Sequence, residues 1–184
     1  MNTELFRIER LTALDEAILQ QMADIYVEAY AEPPYNAGPL WDREAFLART
    51  RRQRDRDGFQ LELARSGSGD LIGFAFGFTM PADGWWAGST TEPPPAVQAA
   101  RKFAFIELVV QRRWRGNGIG RALHDTILNT RLEPYAILTA LAEAPARAMY
   151  ERWGWIQIGS EQHTTDSPLL DSLVLDRTQQ RSAD

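Results

Sequence analysis

The run Val109-Val110-Gln111-Arg112-Arg113-Trp114-Arg115-Gly116-Asn117-Gly118-Ile119-Gly120-Arg121-Ala122-Leu123 carries the chain from an apolar strand, through arginines, into a glycine-rich turn and an amphipathic helix. Glycines without Cβ atoms let successive backbone N–H groups converge on an anion, and the helix that follows adds the positive end of its dipole. Arginines on both sides supply further countercharge. The turn therefore reads as a phosphate cradle; the plainer alternative is a glycine turn that only closes a tight strand-helix corner. Two common cradles are excluded by spacing. A Walker loop requires Gly-Lys-Ser/Thr, which is missing, and a dinucleotide fingerprint requires Gly or Ala where Leu123 stands.

Outward from this turn, apolar periodicity gives the elements. Leu14, Ile18, Met22, Ile25 and Ala29 mark one face of a helix over Asp15 to Tyr30, with Thr12 and Asp15 as its start signal. Pro33-Pro34 ends it, Ala31 to Leu40 reads as a loop, and Trp41 to about Arg54 as a second helix. Phe59, Leu61 and Leu63 alternate with Gln60 and Glu62, the pattern of a strand with one wet face. Ser66 to Asp70 turns the chain into a strand over Leu71 to Thr79, with Ile72, Phe74, Phe76 and Phe78 on one face and Gly73, Ala75 and Gly77 on the other. The small face would admit a helix or ligand closely. Pro81 to Lys102 is a long Pro- and Gly-rich insertion containing Trp85-Trp86.

Phe103 to Val110 forms the next strand, and Ile119, Ala122, Leu123, Ile127 and Thr130 form a helical stripe after Gly118. Tyr135 to Leu141 is a buried strand. Pro145 opens a short helix with Ala146, Met149, Tyr150 and Trp153 on one face, closed by Gly154. Strands are expected over Trp155 to Ile158 and around Ser172 to Leu175, and a first strand near Leu5 to Leu11. Thr178 to Asp184 is expected to be a disordered tail.

At 184 residues, 44% hydrophobic and 24% charged, the chain fits one globular domain. Neither a signal-peptide pattern nor a long apolar span is present, so a cytoplasmic protein without membrane association is expected. The absence of cysteine removes disulfides, thiolate metal sites and a cysteine nucleophile. A net charge of -5 and a pI near 5.1 argue against nucleic acid as a partner. The cluster Arg49, Arg51, Arg52, Arg54 and Arg56, interspersed with acids, reads as a solvated helix surface rather than a binding patch. His124 and His163 stand alone without metal-ligand spacing, and no metal is expected.

The pattern Arg115-x-x-Gly118-x-Gly120, preceded by Glu107-Leu108-Val109-Val110 and followed by Arg121-Ala122-Leu123, resembles the acyl-CoA pyrophosphate loop of the GNAT superfamily of N-acetyltransferases. The element order is similar to that superfamily over most of the chain. The resemblance implies an α+β (α/β three-layer) fold, with a central mixed, largely antiparallel twisted sheet of six to seven strands flanked by about four helices, in one domain over residues 1–177. It implies transfer of an acetyl group from acetyl-CoA to a primary amine by direct attack, without a covalent enzyme intermediate, and a homodimer. The alternative from another class is an acyl-CoA-binding sensor of the same fold without turnover.

Carried over residue by residue, the resemblance implies that the main chain at Leu108, Val109 and Val110 bonds the pantetheine. Arg115, Gly116, Asn117, Gly118, Ile119, Gly120 and Arg121 would wrap the pyrophosphate. Arg112 and Arg113 would meet the 3′-phosphate, unless one is only a solvated charge. Glu143 stands where the superfamily commonly has an Asn, which puts one pantetheine contact in doubt. Glu107, a carboxylate inside the apolar run Phe103 to Val110, must face a site or a partner to be tolerated. It is the candidate proton acceptor, directly or through a water; the bland reading pairs it with an arginine. Tyr150 lies in Tyr-x-x-x-Gly-aromatic, Tyr150 to Trp155, and is the candidate acid toward the CoA sulfur, the ordinary reading being a core tyrosine. For the amine, Tyr26, Tyr30, Tyr35, Trp85 and Trp86, with Glu28, Glu32 and Trp41, form an aromatic and acidic set suited to a cation, although such residues also fill cores and dimer contacts.

Overall fold

The computed structural model describes residues 5–178. Seven strands form one mixed sheet in the order β1-β2-β3-β4-β5-β7-β6. They are β1 (Phe6–Leu11), β2 (Gln60–Ser66), β3 (Leu71–Met80), β4 (Lys102–Val110), β5 (Tyr135–Leu141), β6 (Ile156–Glu161) and β7 (Leu170–Asp176). Among the described residues five helices accompany them: α1 (Glu16–Tyr30), α2 (Arg43–Gln53), α3 (Pro95–Ala99), α4 (Ile119–Asn129) and α5 (Pro145–Arg152). β1 with β2 and β2 with β3 pair antiparallel, as do β5 with β7 and β6 with β7. β4 and β5 run parallel, Lys102, Phe103 and Ala104 registering with Tyr135, Ala136 and Ile137. Parallel neighbours need a crossover, which α4 provides.

The chain divides into two compact units. The first takes residues up to Phe78 together with Ile106–Arg131, and the second takes Thr79–Phe105 with the residues from Leu132 onward. Both β3 and β4 run from one unit into the other. The tail expected from the sequence falls almost wholly on residues 179–184, outside the described residues.

In the first unit the alternation of β3 sorts the layers. Phe74 and Phe76 register with Leu63 and Leu61, and Phe46 of α2 meets the Phe74 ring at 6.2 Å. The opposite face presents Gly73, Ala75 and Gly77 beside Ala64, Glu62 and Gln60, and α4 packs over β2 there. Gln60 and Glu62 are therefore buried, at 6% and 0% exposure, which corrects the expectation of a wet face. Partners are provided for the Gln60 amide and for one oxygen of Glu62. Gln60 Nε2 donates to Glu62 Oε1 at 2.8 Å and to Thr130 Oγ1 at 2.8 Å, and Arg10 Nε reaches Glu62 Oε1 at 2.6 Å. Alternation marks the faces of a strand but says nothing of a helix that later covers one.

Two helix faces also differ from their sequence reading. The buried side of α1 is Leu19, Met22, Ala23, Ile25 and Tyr26, and its cap is Asp15, whose carboxylate accepts from the Ile18 N–H at 2.8 Å. α5 buries Arg147 with Tyr150, the guanidinium donating from Nε to Asp171 at 2.9 Å and from Nη2 to Gln157 at 3.1 Å. A long side chain paired on a facing strand can occupy a position that hydropathy leaves to solvent.

In the second unit the insertion after β3 contains α3 and is pinned by a buried lysine. Lys102 Nζ donates to the carbonyls of Ala100 at 2.8 Å, Gln98 at 3.2 Å and Pro81 at 3.3 Å. Burial holds its ammonium below the usual lysine range. Residues 88–90 then lie along β6, with Thr90 N donating to the Ser160 carbonyl and Gln162 N to that of Gly88, both at 2.9 Å.

Close approach of β3 and β4 depends on Gly73. A Cβ there would stand 2.9 Å from the Val109 carbonyl oxygen, a backbone atom with no freedom to rotate away. Gly73→Ala is expected to destabilise the protein by about 1–3 kcal/mol through the forced strand displacement, read from urea denaturation.

Candidate functional site

β4 leads directly into the glycine turn. The single 3₁₀ turn Arg112–Trp114 follows it, and α4 begins after Gly118, which holds φ +79° as its N-cap. Gly116 has the same φ. Only glycine adopts this left-handed conformation without strain, and a Cβ at either position would meet no atom within 4 Å. The first helical bond runs from Ala122 N to the Gly118 carbonyl at 2.9 Å, and no side chain caps the helix. The N–H groups of Ile119, Gly120 and Arg121 therefore lack an intrahelical acceptor. An exposed, uncapped helix start with open space over two glycines fits an anion.

The side chains of the turn are engaged in different ways. Asn117 Nδ2 donates to the carbonyls of Trp114 at 3.1 Å and Arg115 at 3.3 Å and so braces the turn from within. Arg121 pairs with Asp125 one turn along α4 at 2.6 Å. Arg112 and Arg113 are exposed. Arg115 turns elsewhere: its Nε donates to the Val110 carbonyl at 3.1 Å, and its Nη1 and Nη2 meet the two Glu32 carboxylate oxygens at 3.1 and 2.9 Å.

The other end of the same half-strand carries Glu107. Tyr30 Oη donates to its Oε2 at 2.9 Å. A column of rings runs outward from this bond, Tyr30 lying 4.1 Å from Tyr26 and 4.4 Å from Tyr35, and Tyr35 lying 5.2 Å from Trp41. Tyr26 has no exposed surface. It stacks on Phe46 at 4.1 Å, and its phenolic oxygen accepts from Arg49 Nη2 at 3.0 Å. Four aromatic positions read from the sequence are thus gathered beside Glu107, with Tyr26 behind and Tyr30, Tyr35 and Trp41 partly exposed.

Burial pushes the Glu107 carboxyl up to about 7, against the nearby Arg49 charge and the Tyr30 hydrogen bond, which both pull it down. Burial and the Glu107 charge raise the Tyr30 phenol well above its ordinary value and push Tyr35 up to about 12. The tyrosines therefore stay neutral donors at physiological pH, and Glu107 is the group that exchanges a proton there.

In the second unit, Tyr150 of α5 is buried at 7% exposure. Its ring meets the edges or faces of Phe105, Trp153 and Trp155, with centroids 6.5, 5.8 and 5.9 Å away. Glu143 is exposed in the turn before α5. Trp85 Nε1 donates to Ser89 Oγ at 3.2 Å, which ties it to the segment along β6, and Trp86 is half-buried.

Residues 95–171 match the family model described as the Acetyltransferase (GNAT) domain. Over that segment, from α3 to the start of β7, the chain is similar to a GNAT acetyltransferase domain. Its fold is shared with PH1933 from Pyrococcus horikoshii, at a TM-score of 0.67 and 21% identity over 93% of this chain and 98% of the other. The ribosomal-protein-S18-alanine N-acetyltransferase from Escherichia coli superposes with a TM-score of 0.60 and 18% identity, over 94% of each chain. The PaiA N-acetyltransferase from Thermoplasma acidophilum, solved with coenzyme A, gives 0.57 and 14% over 90% of this chain and 98% of that one. At these identities the likeness is one of fold. No curated protein sequence matches the chain.

Sequence reasoning missed the part played by Arg49. It was counted with a solvated basic surface, but its guanidinium turns inward to Tyr26 and to the Leu40 carbonyl at 2.7 Å. Arg51 and Arg54 pair with Glu16, and Arg56 covers the Phe78 ring at 4.8 Å, so the cluster is also more engaged than its composition suggests. Another group passed over is Glu161. It is 1% exposed at the end of β6, burial pushes its carboxyl up to about 7 against a hydrogen bond from Thr139, and His163 Nε2 stands 3.5 Å away. His124 pairs with its neighbour Asp125 at 2.8 Å. Among the described residues, no group of three or more His, Cys, Asp or Glu is placed to hold a metal ion, and no helix is long and apolar enough to cross a membrane.

Loss of the Tyr30 donor removes an influence that favours the ionised carboxylate. Tyr30→Phe is expected to raise the Glu107 pKa further above 7, so that a larger fraction is protonated at neutral pH. Carboxyl NMR titration, assigned through Glu107→Gln, reads the shift; an unmoved or lowered midpoint would contradict it.

Proposed function

We propose that the protein is an acetyl-CoA-dependent N-acetyltransferase acting on a primary amine of a small molecule or an exposed protein amino group. The observation that supports it is the content of one half-strand and its continuation. Ile106 to Val110 carries a carboxylate poised near neutrality, and the chain beyond it opens an uncapped helix behind two left-handed glycines. In this reading the main chain of Leu108, Val109 and Val110 holds the pantetheine, and the N–H groups of residues 116–121 hold the pyrophosphate. Arg112 and Arg113 remain exposed for the 3′-phosphate, and Glu143 stands at the chain position of a further pantetheine contact. Acetyl-CoA, when bound, supplies the activated thioester.

The acceptor site rests on Tyr30 and Tyr35, with Tyr26 supporting Tyr30 from behind. Their π-faces favour the arrival of an ammonium, and a neutral amine is needed for attack. Glu107 removes that proton, directly or through one water, so it must enter the step ionised. Tyr150 returns a proton to the departing thiolate. Trp85 and Trp86 are the remaining acceptor residues of this reading. The reading also takes the protein as cytoplasmic and homodimeric.

Calorimetric titration with acetyl-CoA tests the donor site. Gly120→Glu is the variant of choice, because Gly120 has no left-handed φ and its Cβ would make only an ordinary 3.9 Å contact with Val110 Cγ2. A carboxylate in the first helical turn suits the fold but repels pyrophosphate. Roughly micromolar binding by the parent, weakened about tenfold or more in the variant, is expected. No binding by the parent would remove the enzyme reading, and binding without turnover across an amine panel would favour the sensor.

The rate should rise with pH through a midpoint near 7, because protonated Glu107 cannot act as the base. Glu107→Gln should lower turnover about a hundredfold and flatten that limb while acetyl-CoA affinity persists. Equal pH-rate profiles for the two proteins would exclude Glu107. Tyr150→Phe should lower the maximal rate about tenfold or more, and an unchanged rate would make Tyr150 a packing residue.

A further inference from the structure

Arg115 opens the glycine motif, yet its guanidinium is already committed. Nη1 donates to Glu32 Oε2, Nη2 stands at ion-pair distance from Oε1, and Nε is spent on the carbonyl of Val110. An arginine held in this way presents its best paired donors to a carboxylate of the α1–α2 connection and not to a ligand. Glu32 in turn organises that connection. Its carbonyl accepts from the N–H groups of Tyr35 at 3.0 Å and Asn36 at 3.1 Å, while Ala37 N donates to the Tyr30 carbonyl at 2.8 Å. Asn36 and Ala37 hold φ of +50° and +53°, a conformation that non-glycine residues keep only where their surroundings impose it.

These contacts form a closed circuit. It leaves β4 at Glu107, passes through the Tyr30 phenol to the turn that carries Tyr35, and returns through Glu32 and Arg115 to the Val110 carbonyl. We propose that the Arg115–Glu32 pair is a brace that positions the Tyr30–Tyr35 turn against β4, and that the Arg115 guanidinium is not a phosphate ligand. Both are positioning residues for the amine side of the transfer. Arg115 then gives the donor cradle no side-chain donor. The proposal rests on the acetyltransferase reading for what the turn is for; the brace itself is tested without an amine.

The experiment combines hydrogen exchange with calorimetric titration of coenzyme A, on the parent, Glu32→Gln, Arg115→Gln and the double variant. Each single substitution should speed amide exchange over residues 31–38 at least about threefold. The double variant should add little to either single one, as expected for two ends of one interaction. Coenzyme A affinity should stay within about threefold of the parent in all of them, because the N–H cradle is intact. Exchange over 31–38 left unchanged by Glu32→Gln would overturn the brace. So would coenzyme A binding weakened about tenfold by Arg115→Gln and untouched by Glu32→Gln, the signature of a phosphate ligand. Failure of the parent to bind coenzyme A strikes the acetyltransferase reading instead, and the exchange data still decide the brace.

Discussion

A carboxylate in the middle of an apolar strand is the constraint around which the first unit is arranged. Glu107 interrupts Phe103-Ala104-Phe105-Ile106 and Leu108-Val109-Val110, where an ionised group without partners would cost several kcal/mol. The chain answers with one direct donor, Tyr30, and one nearby positive charge, Arg49, that stops short of neutralising it. A full ion pair would have fixed the carboxylate as an anion with little basicity. A single phenolic hydrogen bond leaves it near 7, where it can take and release a proton at physiological pH.

That provision shapes the surrounding side chains. Tyr30 can donate to Glu107 only if its ring is held, and it is held by stacking on Tyr26, whose own buried hydroxyl is satisfied by Arg49. Arg49 therefore serves twice, as a donor to Tyr26 and as a charge felt by Glu107. Its position on α2 is set by the burial of Phe46 and Leu47, so the electrostatics of the carboxylate depend on an ordinary hydrophobic contact with Phe74 on the neighbouring strand β3.

The glycine turn proposed as the donor side was legible in the sequence because it is local. Strand, glycine turn and helix follow one another within fifteen residues, and the left-handed glycines and uncapped helix start lie where the motif puts them. The element order and the faces of β3 were legible for the same reason. What escaped depends on contacts between distant segments. Gln60 and Glu62 alternate as solvent-facing residues do, and only α4, some sixty residues later, makes them buried. Arg49 sits in an arginine-rich stretch whose composition conceals the one side chain that turns inward. The aromatic set was named from residue type alone, and its ordering into a column, with Tyr26 innermost, needed the helix phase that the predicted stripe of α1 had displaced.

The two kinds of legibility correspond to two kinds of chemical demand. Pyrophosphate is the same in every acyl-CoA, so a cradle for it can be encoded once, in backbone geometry that side chains hardly affect. In the proposed reading the amine is met by side chains assembled from α1, α2 and the turn between them, which neighbouring sequence does not specify. Joining such a reader to a backbone cradle needs a contact belonging to both. Arg115 has that position: it is part of the glycine motif, and its guanidinium ends on the turn that carries Tyr35. A side chain paired in this way couples the glycine motif to the α1–α2 turn, and the N–H groups after Gly118 are left as they were.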